Sequence, residues 1–487
     1  MQPNLNTSKS ADSPPDSTMD SNPDLDPKLA FAQLSVAPAV LDNLNHLGYL
    51  QMTPIQAASL PLALAGKDLI AQAQTGSGKT AAFAIALLNK IDATSFNPQA
   101  LILCPTRELA DQVTIEIRRL ARALGNIKVI TLCGGVAARG QRSSLEHGAH
   151  IVVGTPGRIQ DHLTRGFLKF AQLTTLVLDE ADRMLDMGFY DDIVTITGQT
   201  PSARQTLMFS ATYPVSMEKL ARRFMRVPVH IKIEADIEEN KCDQRFYEIS
   251  NTQRFEVVAQ ILRHFRPASC LAFCNTKQQS KDLLAYLQSQ KFSVLALNGE
   301  LEQRDRDQVL VQFANRSCTV LVATDVASRG LDIAQLEAVI NVDVTLDPEV
   351  HIHRIGRTAR AGFGGLALNL VAQHEMEALV KVEQYQKTNA QWHPLHELKP
   401  SSSEPLIPAM KTLQILAGRK EKIRPGDVLG ALTGLEGGPA YTVDQIGKIQ
   451  VTEFCTFVAL NREHAVAACA KLNAAKIKGK RMKVRLL

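Results

Sequence analysis

Five short apolar runs, each bounded by turn-forming residues, constrain the fold of the first half of the chain. They read DLIAQA, ALILCP, HIVVGTP, TLVLDEAD and QTLMFSAT. Each has the length of a β-strand and is apolar at successive positions, as expected for a parallel strand that is covered on both faces. Longer stretches with helical spacing, such as ELADQVTIEIRRLARAL, separate them. This alternation predicts a doubly wound α/β domain.

The same pattern returns after a polar, acidic interruption, IEADIEENKCDQ, which we interpret as a linker. The runs SCLAFCNT, SVLALNG, TVLVATD, AVINVDV and GLALNLV then predict a second α/β domain. A second interruption, WHPLHELKPSSSEPLIP, is rich in Pro and Ser. We therefore expect domains at residues 31–235, 243–385 and 409–487, with a linker over 386–408. Residues 1–30 have too few apolar side chains to offset the entropy of ordering, which predicts disorder.

Basic residues are concentrated in the last part of the chain. Residues 411–487 carry fourteen Lys and Arg against six Asp and Glu, whereas the rest of the 487-residue chain is nearly neutral. A basic module beside a neutral body indicates a polyanionic partner. The eight cysteines show no zinc-ligand spacing, and no apolar run is long enough for a membrane span or a secretory signal. We expect a cytoplasmic protein with reduced thiols and no membrane partner.

A phosphate-binding loop follows the first apolar run. The string AQTGSGKT, residues 73–80, joins DLIAQA to the apolar helix AAFAIALL, as a Walker A loop requires. Gly76 and Gly78 let backbone N–H groups point at phosphate oxygens, and the helix N-terminus adds its positive dipole. We expect Lys79 to pair with the β- and γ-phosphates of ATP and the Thr80 hydroxyl to ligate Mg²⁺. Thr75 and Ser77 complete the predicted ATP-binding loop; a chance Gly-rich turn is the alternative.

Two acids end the run TLVLDEAD about a hundred residues later. We expect Asp179, at the end of its strand, to hold Mg²⁺ through water. Glu180 is predicted to polarise the attacking water as general base. Because acids at the end of a buried strand are costly without a partner, the alternative is a solvated acidic turn. Together with Lys79, these acids predict the hydrolysis of a nucleoside triphosphate.

Further strings complete a known pattern. The first half contains DEAD (179–182), SAT (210–212), PTREL (105–109) and TPGR (155–158), and the second half contains QRDR (303–306), ATDVASRGLDI (323–333) and HRIGRTAR (353–360). From about residue 31 to 385 the chain resembles the DEAD-box family of ATP-dependent RNA helicases. The resemblance implies an RNA-dependent ATP hydrolase with two RecA-like doubly wound parallel-sheet domains, which uses ATP and Mg²⁺.

The resemblance also implies a nucleotide site that is divided between the two domains. Phe31 would stack on adenine, Gln56 would hydrogen-bond it, and Asp332 would contact the ribose. Arg357 and Arg360 lie in the second domain, so they reach the γ-phosphate as arginine fingers only when the domains close. A surface salt bridge is the alternative role for each of them. The residues expected to connect hydrolysis with closure are Asp182, Ser210, Thr212 and His353.

The second ligand implied by the resemblance is one strand of RNA, bound through its backbone. In the first domain the matching positions are Thr106, Arg107, Gly134, Gly135, Thr155, Gly157 and Arg158. In the second domain they are Gln303, Arg306 and Thr324. Arginines, hydroxyls and backbone N–H groups suit phosphates and 2′-hydroxyls without reading base identity. For the glycines, a purely structural role in tight turns is the alternative.

The basic C-terminal part has the order strand, helix, strand, strand, helix, strand. This βαββαβ order is typical of an RNA recognition motif (RRM). In the last strand Met482, Val484 and Leu486 alternate with Lys483 and Arg485, which predicts a half-buried strand with its charges outward. The first strand, LQILAG, has no aromatic residue, so we do not expect bases to stack on the sheet.

We instead expect this domain to bind RNA through RKEKIR (419–424) and the terminal run KIKGKRMKVR. The candidate residues of that run are Lys476, Lys478, Lys480, Arg481, Lys483 and Arg485. Both segments resemble the C-terminal domain of the bacterial DEAD-box protein A subfamily, which works in large-subunit ribosome assembly. The resemblance implies a hairpin of 23S ribosomal RNA and pre-50S particles as partners. A solvated charged face is the alternative.

Three other functions stay open at this point. A general helicase of RNA turnover or cold adaptation would share the motor without a preference for ribosomal RNA. A non-enzymatic RNA chaperone would have lost Lys79, Glu180 or an arginine finger, and the sequence keeps them all. A DNA translocase fits the strings above less well. We expect the protein to act as a monomer.

Overall fold

The computed structural model describes residues 30–74, 76–233, 242–325, 336–358 and 365–487. The chain forms two compact units, residues 1–235 and 236–487. The disorder predicted for residues 1–30 concerns a segment that lies, apart from Ala30, outside the described residues.

The first unit is built on a parallel sheet whose strands are the predicted apolar runs and two further ones. The strands are β1 Leu69–Gln72, β2 Ala100–Leu103, β3 Val129–Leu132, β4 Ile151–Gly154, β5 Thr175–Asp179, β6 Gln205–Ser210 and β7 Val229–Lys232. The helices are α1 Pro38–His46, α2 Pro54–Leu64, α3 Lys79–Leu88, α4 Arg107–Leu120, α5 Ala138–Glu146, α6 Pro156–Thr164, α7 Ala181–Asp186, α8 Tyr190–Gly198 and α9 Val215–Phe224.

Within the described residues, these strands pair in the order β3-β4-β2-β5-β6-β1-β7. All the pairs are parallel. Apolar side chains cover both faces of the sheet, with Phe83, Ile102 and Phe209 in one core and Leu101, Leu176 and Met208 in the other. The helices therefore lie on both sides, as the uninterrupted apolar runs predicted.

The second unit begins with another parallel sheet. Its strands are β8 Cys242–Ile249, β9 Cys270–Cys274, β10 Val294–Leu297, β11 Val320–Thr324, β12 Ala338–Asn341 and β13 Gly365–Ala372, in the order β10-β11-β9-β12-β13-β8. The described helices are α10 Arg254–Phe265, α11 Lys277–Ser289, α12 Gln303–Ala314, α13 Pro348–Ile355 and α14 Met376–Gln386. Because β8 begins at Cys242, the last three residues of the polar stretch IEADIEENKCDQ belong to a strand.

Residues 386–408, for which we predicted a linker, pack along this sheet domain. The Trp392 ring lies 6.2 Å from the Phe246 ring, and Leu398 is buried in the domain core. Arg266 Nη1 donates to the carbonyl oxygen of Glu404 at 2.7 Å. The segment is therefore held against the sheet domain up to the start of the C-terminal domain.

The C-terminal domain has the predicted βαββαβ order. Its elements are β14 Met410–Ile415, α15 Pro425–Thr433, β15 Ile446–Val451, β16 Thr456–Asn461, α16 Ala465–Ala474 and β17 Val484–Leu486. The strands form an antiparallel sheet in the order β15-β16-β14-β17, which is the spatial order of an RRM. The predicted fold, two doubly wound parallel-sheet domains and an RRM-like domain, is confirmed.

The last strand is shorter than the sequence predicts. Only Val484–Leu486 pair with β14, although the expected alternation holds: Val484 is buried, whereas Lys483 and Arg485 are exposed. Near this strand, Lys471 of α16 is buried and donates to the carbonyl oxygens of Leu432, Gly434 and Pro439. No helix among the described residues has the length and apolar character that a membrane span needs.

Candidate functional site

The order of the strands in the first unit places the predicted ATP residues next to one another. The phosphate loop follows β1, Asp179 ends β5 and Ser210 ends β6, and these three strands are neighbours in the sheet. Because parallel strands end at the same edge, their loops form one cleft at the carboxyl ends. The predicted RNA residues follow β2, β3 and β4, which form the neighbouring part of the sheet.

The phosphate loop has the backbone that its glycines predict. Gly76 and Gly78 have φ values of 87° and 92°, which favour glycine, and α3 begins directly after them at Lys79. The Ser77 hydroxyl oxygen is buried and has no hydrogen-bond partner in the described part of the chain. Such a group fits a loop that receives a polar ligand. Thr75 lies outside the described residues.

Gln56 lies directly against this loop. Its Oε1 accepts from the Thr53 backbone N–H at 2.9 Å, and its Nε2 donates to the Gly78 carbonyl oxygen at 3.0 Å. Thr53 Oγ1 donates to the Ser77 carbonyl oxygen at 2.7 Å. We missed Thr53 in the sequence, although the spacing Thr-x-x-Gln at a helix start is a capping signal. The first turn of α2 therefore supports the phosphate loop.

The Phe31 ring is covered in this structure. It exposes only 2% of its surface and lies edge-on to the Tyr49 ring at 5.9 Å. Stacking of Phe31 on adenine therefore stays a prediction.

Lys79 is buried beside the acids of the DEAD string. Its Nζ donates to the carbonyl oxygens of Ala73 and Gln74. Burial lowers the pKa of Lys79, and the negative charges of Asp179 and Glu180 act in the opposite direction. A buried ammonium group at the start of α3, beside the phosphate loop, is well placed for a phosphate.

The two acids after β5 differ in their surroundings. Burial, and next the charge of Glu180, raise the pKa of Asp179 to about 7. Glu180 adopts a left-handed backbone with φ of 51°, which is unusual for a residue with a side chain. Its Oε2 forms a buried ion pair with Arg183 Nη1 at 2.9 Å. Arg183 is a further site residue that we did not single out in the sequence.

Asp182 joins the DEAD string to the SAT string. Its Oδ2 accepts from both the backbone N–H and the hydroxyl of Thr212, each at 3.0 Å. The Asp182 N–H donates to Ser210 Oγ at 3.4 Å. Burial raises the pKa of Asp182, but hydrogen bonds, first that with Ser210, outweigh it, so the pKa is lowered. These contacts are those expected of coupling residues, and the coupling itself stays a prediction.

Thr80 and Asp179 fit the magnesium ion that the sequence predicts. Asp179 is a buried carboxylate whose pKa is raised by burial, and a cation beside it would favour its charged form. No cluster of three or more His, Cys, Asp or Glu in the described ranges could hold a metal. Magnesium in nucleotide sites typically takes one or two protein oxygens and completes its shell with water and phosphate oxygens.

The predicted RNA residues of the first unit lie close together. Arg107, at the start of α4, donates from Nη1 to the Gly134 carbonyl oxygen at 3.3 Å. Thr106 caps the same helix by accepting from the Leu109 N–H at 3.3 Å. Gly135 is exposed, with φ of 75°.

Arg158, in α6, is hydrogen-bonded to the same region. Its Nη1 donates to the Val136 carbonyl oxygen at 3.1 Å and to Gln141 Oε1 at 2.9 Å. Gln141 in turn donates to the Cys133 carbonyl oxygen at 2.8 Å. Thr155 precedes α6, and Gly157 is exposed in its first turn. The loops after β2, β3 and β4 thus form one connected surface. Gln141 links these loops by hydrogen bonds, and the sequence did not reveal this role.

In the second unit, the predicted residues lie at the ends of several elements. Gln303 begins α12 and donates to Asp307 Oδ1 at 2.8 Å, Arg306 is buried in the same helix, and Thr324 ends β11. His353 is in α13, and Arg357 is buried just after that helix. Asp332 and Arg360 lie outside the described residues.

The six predicted basic residues of the C-terminal run are exposed. They are Lys476, Lys478, Lys480, Arg481, Lys483 and Arg485. Lys478 Nζ donates to the Lys422 carbonyl oxygen at 2.6 Å, so the terminal run contacts the RKEKIR segment. The two basic segments that we singled out therefore form one surface.

Three family models match this chain in sequence order. The DEAD/DEAH box helicase model matches residues 53–220, the helicase conserved C-terminal domain matches residues 253–362, and the DbpA RNA binding domain matches residues 412–486. The ATP-dependent RNA helicase DbpA of Escherichia coli is 50% identical over 464 residues, which cover 94% of this chain and 99% of that protein. The chain belongs to the DEAD-box family of ATP-dependent RNA helicases.

Other relatives of this helicase share the motor. The ATP-dependent RNA helicase CshA of Listeria monocytogenes is 43% identical over 74% of this chain and 69% of its own length. The structure of S. cerevisiae Dbp5 bound to RNA and ADP BeF3 has a TM-score of 0.69 and 28% identity, and covers 75% of this helicase and 96% of that chain. The predicted similarity of this helicase to DbpA is confirmed.

Proposed function

We propose that this helicase locally unwinds short RNA duplexes and is targeted by residues 409–487 to 23S ribosomal RNA during assembly of the large ribosomal subunit. The observation that carries the proposal is the attachment of a DEAD-box motor to a domain that matches the DbpA RNA binding domain and exposes a joined basic surface. The protein would act in the cytoplasm as a monomer on pre-50S particles.

ATP hydrolysis is assigned to the cleft at the end of β1, β5 and β6. Lys79 binds the β- and γ-phosphates, and the N–H groups of Gly76–Thr80 surround them. Glu180 accepts a proton from the attacking water. Thr80 and, through water, Asp179 would hold Mg²⁺, which neutralises phosphate charge when it is bound.

The second unit contributes charge to the same reaction. Arg357 and Arg360 stabilise the transferring phosphoryl group when the two units close, and Asp332 contacts the ribose. ATP binding thereby favours closure, and whatever else bridges the two units is coupled to it.

The RNA strand is the second bridging ligand. The loops after β2, β3 and β4 bind phosphates and 2′-hydroxyls from one side, through Arg107 and Arg158 among others. Gln303, Arg306 and Thr324 bind the same strand from the second unit. Closure on one strand excludes its partner strand, which opens a short duplex, and hydrolysis releases the strand.

The test of targeting compares two triple variants of the full chain. Lys480, Arg481 and Lys483 are replaced by Gln in the first. The control replaces Lys67, Lys169 and Lys219, which are exposed on the first unit. ATPase activity is measured as a function of the concentration of a 23S ribosomal RNA fragment or of an unrelated structured RNA, at several salt concentrations.

The first variant should need more ribosomal RNA for half-maximal ATPase, with the same maximal rate. Three lost phosphate contacts should make the fall of log affinity with log salt less steep, by about 2 to 3. The control variant should behave like the wild type. Equal stimulation of the wild type by both RNAs would contradict ribosomal targeting and favour a general RNA helicase.

A further inference from the structure

The two central strands of the RRM-like sheet, β14 and β16, offer no open face for bases in this structure. Its core face carries Leu413 and Val458, so Thr412, Gln414, Phe457 and Ala459 lie on the opposite face. An RRM ordinarily stacks bases on that opposite face. Here each of the four residues exposes 3% of its surface or less.

The sheet domain that precedes the RRM-like domain in sequence contributes to this cover. Thr412 Oγ1 accepts a hydrogen bond from Asn315 Nδ2 at 3.1 Å and lies 2.7 Å from Ser317 Oγ. Asn315 and Ser317 follow α12, in the same compact unit. A base-stacking residue must therefore be sought elsewhere on the domain.

One exposed aromatic side chain is available. Residues 409–487 are all described and contain Tyr441, Phe454 and Phe457, of which only Phe454 is exposed, at 56%. It lies in the loop between β15 and β16. Lys420 Nζ lies over its ring, 4.1 Å from the centroid.

The loop that carries Phe454 is fixed by its backbone. The Thr452 carbonyl oxygen accepts from the Arg419 N–H at 2.9 Å, and that of Glu453 accepts from the Lys420 N–H at 3.1 Å. Gly418 permits this approach, because a Cβ there would lie 2.5 Å from the Thr452 oxygen. A loop whose backbone is already ordered loses little conformational entropy on binding.

The surroundings of Phe454 are basic. Lys420 and Lys422 are exposed in the adjoining turn, and Lys478 reaches the same turn by donating to the Lys422 carbonyl oxygen. Acids also lie here: Glu453 pairs with Lys420 at 3.4 Å and Asp427 with Lys478 at 3.8 Å, while Glu421 accepts from the Gly418 N–H at 2.7 Å. Both lysines are exposed, so these ion pairs contribute little stability and can be exchanged for phosphate contacts.

We propose that Phe454 stacks on an unpaired base of the RNA bound by this domain, while Lys420, Lys422 and Lys478 contact the flanking phosphates. The inference rests on the proposed function and adds a single-stranded element to the RNA target. An aromatic ring inside a basic surface suits nucleic acid, because every base offers a stacking face and every linkage a negative charge.

The test uses the full chain and two RNAs with equal numbers of phosphates. One is a 23S ribosomal RNA hairpin with an unpaired loop, and the other is a blunt duplex. Phe454→Ala is compared with Phe454→Trp, which keeps a stacking ring, and with Leu435→Ala. Leu435 is an exposed apolar residue that follows α15, at the end away from RKEKIR.

Phe454→Ala should weaken binding of the hairpin about 10-fold, within the range of about 5- to 150-fold that the loss of one stacked base produces. Its salt dependence should stay unchanged, since no phosphate contact is lost. Phe454→Trp and Leu435→Ala should bind like the wild type, and the blunt duplex should not distinguish any of the variants. A 2-aminopurine placed at successive loop positions should be quenched at one position by the wild type and not by Phe454→Ala.

Two failures can be told apart. If the wild type prefers the ribosomal hairpin and Phe454→Ala binds it equally well, the stacking proposal is wrong and ribosomal targeting stands; the exposed ring then serves another partner, such as a protein. If the wild type shows no such preference, ribosomal targeting is wrong. The stacking role of Phe454 is then tested by the affinity for a single-stranded oligouridine. Equal affinity of the wild type and Phe454→Ala for that strand overturns the stacking proposal.

Discussion

Arg354 forms a bidentate ion pair with both carboxylate oxygens of Asp325. Its Nε donates to Oδ1 at 2.7 Å and its Nη2 donates to Oδ2 at 2.6 Å. The same guanidinium group donates to Asn275 Oδ1 and to the Asp343 carbonyl oxygen, and it lies over the Phe273 ring. Arg354 is thus the point at which the ends of β9, β11 and β12 are joined to α13.

Replacement of Arg354 by Lys should destabilise the second unit although the charge is kept. An ammonium group cannot reproduce the planar fork, and the side chain exposes only 1% of its surface. Each hydrogen bond to a charged group contributes about 1.5–3 kcal/mol, and Lys loses at least one of those that the guanidinium group donates. Urea denaturation followed by hydrogen exchange at β11 and β12 measures the loss. The exposed Arg304, replaced by Lys, is the control, and equal stability of the two variants would contradict the role assigned to Arg354.

The sequence did not reveal Arg354 because its partners are distant along the chain. The string HRIGRTAR drew attention to Arg357 and Arg360, whose roles the family resemblance implies. Asp325 and Asn275 lie 29 and 79 residues from Arg354, and nothing local marks the three as neighbours. Only the parallel sheet brings the ends of their strands together. In contrast, the phosphate loop needs only a strand, a turn and a helix that are consecutive in sequence.

Glu180, which is ion-paired with Arg183, is the residue that we propose as the acceptor of the water proton. Glu180→Gln removes that proposed acceptor but keeps the shape of the side chain, so ATPase activity should fall by about 10²-fold or more. RNA should stay bound in excess ATP, since the proposed mechanism assigns closure to ATP binding and release to hydrolysis. ATP turnover and RNA dissociation are measured after mixing with excess unlabelled RNA. Glu146→Gln breaks an exposed ion pair with Arg142 in the same unit and is the control. Rapid RNA release by Glu180→Gln would contradict the assignment.

Replacement of Thr212 should slow unwinding while leaving ATP hydrolysis nearly unchanged. In Thr212→Ala the backbone N–H still reaches Asp182 Oδ2, but the hydroxyl contact is lost. One hydrogen bond to a charged group contributes about 1.5–3 kcal/mol, so the duplex unwinding rate should fall about tenfold or more while ATPase changes little. Thr212→Ser keeps the hydroxyl and should restore unwinding. Equal losses of both activities in Thr212→Ala would assign Thr212 to the chemical step instead.

The sheet face of the C-terminal domain shows a second limit of the sequence. The sequence predicted β14 as a strand. Alternation along a strand with Leu413 on the core face places Thr412 and Gln414 on the opposite face, which an antiparallel sheet commonly leaves to solvent. Both are buried, and Thr412 is hydrogen-bonded to Asn315 and Ser317, about a hundred residues earlier. The sequence pattern does not show packing between neighbouring domains, because small polar residues are found both on solvent-exposed faces and in polar interfaces.

His351 should make the second unit less stable in mild acid. Burial, and next the charge of Arg354, lower the pKa of His351 to about 4, and Nε2 lies 3.3 Å from Gln244 Oε1. The unfolded chain takes up a proton near pH 6.5, which the folded unit accepts only near pH 4. This contribution is therefore fully present above about pH 6.5 and is lost as the pH falls to about 4.

The lost contribution amounts to about 3 kcal/mol, as follows from the difference between the two pKa values. Because carboxylates titrate in the same range, the measurement is a difference between two proteins. The free energy of unfolding is measured for the wild type and for His351→Gln from pH 7 to pH 4. His351→Gln keeps a polar side chain without a titrating group, so its stability should fall less steeply with acid, by up to one proton in the slope. Parallel curves for the two proteins would mean that the imidazole has the same pKa in the folded unit as in the unfolded chain, and would contradict its burial.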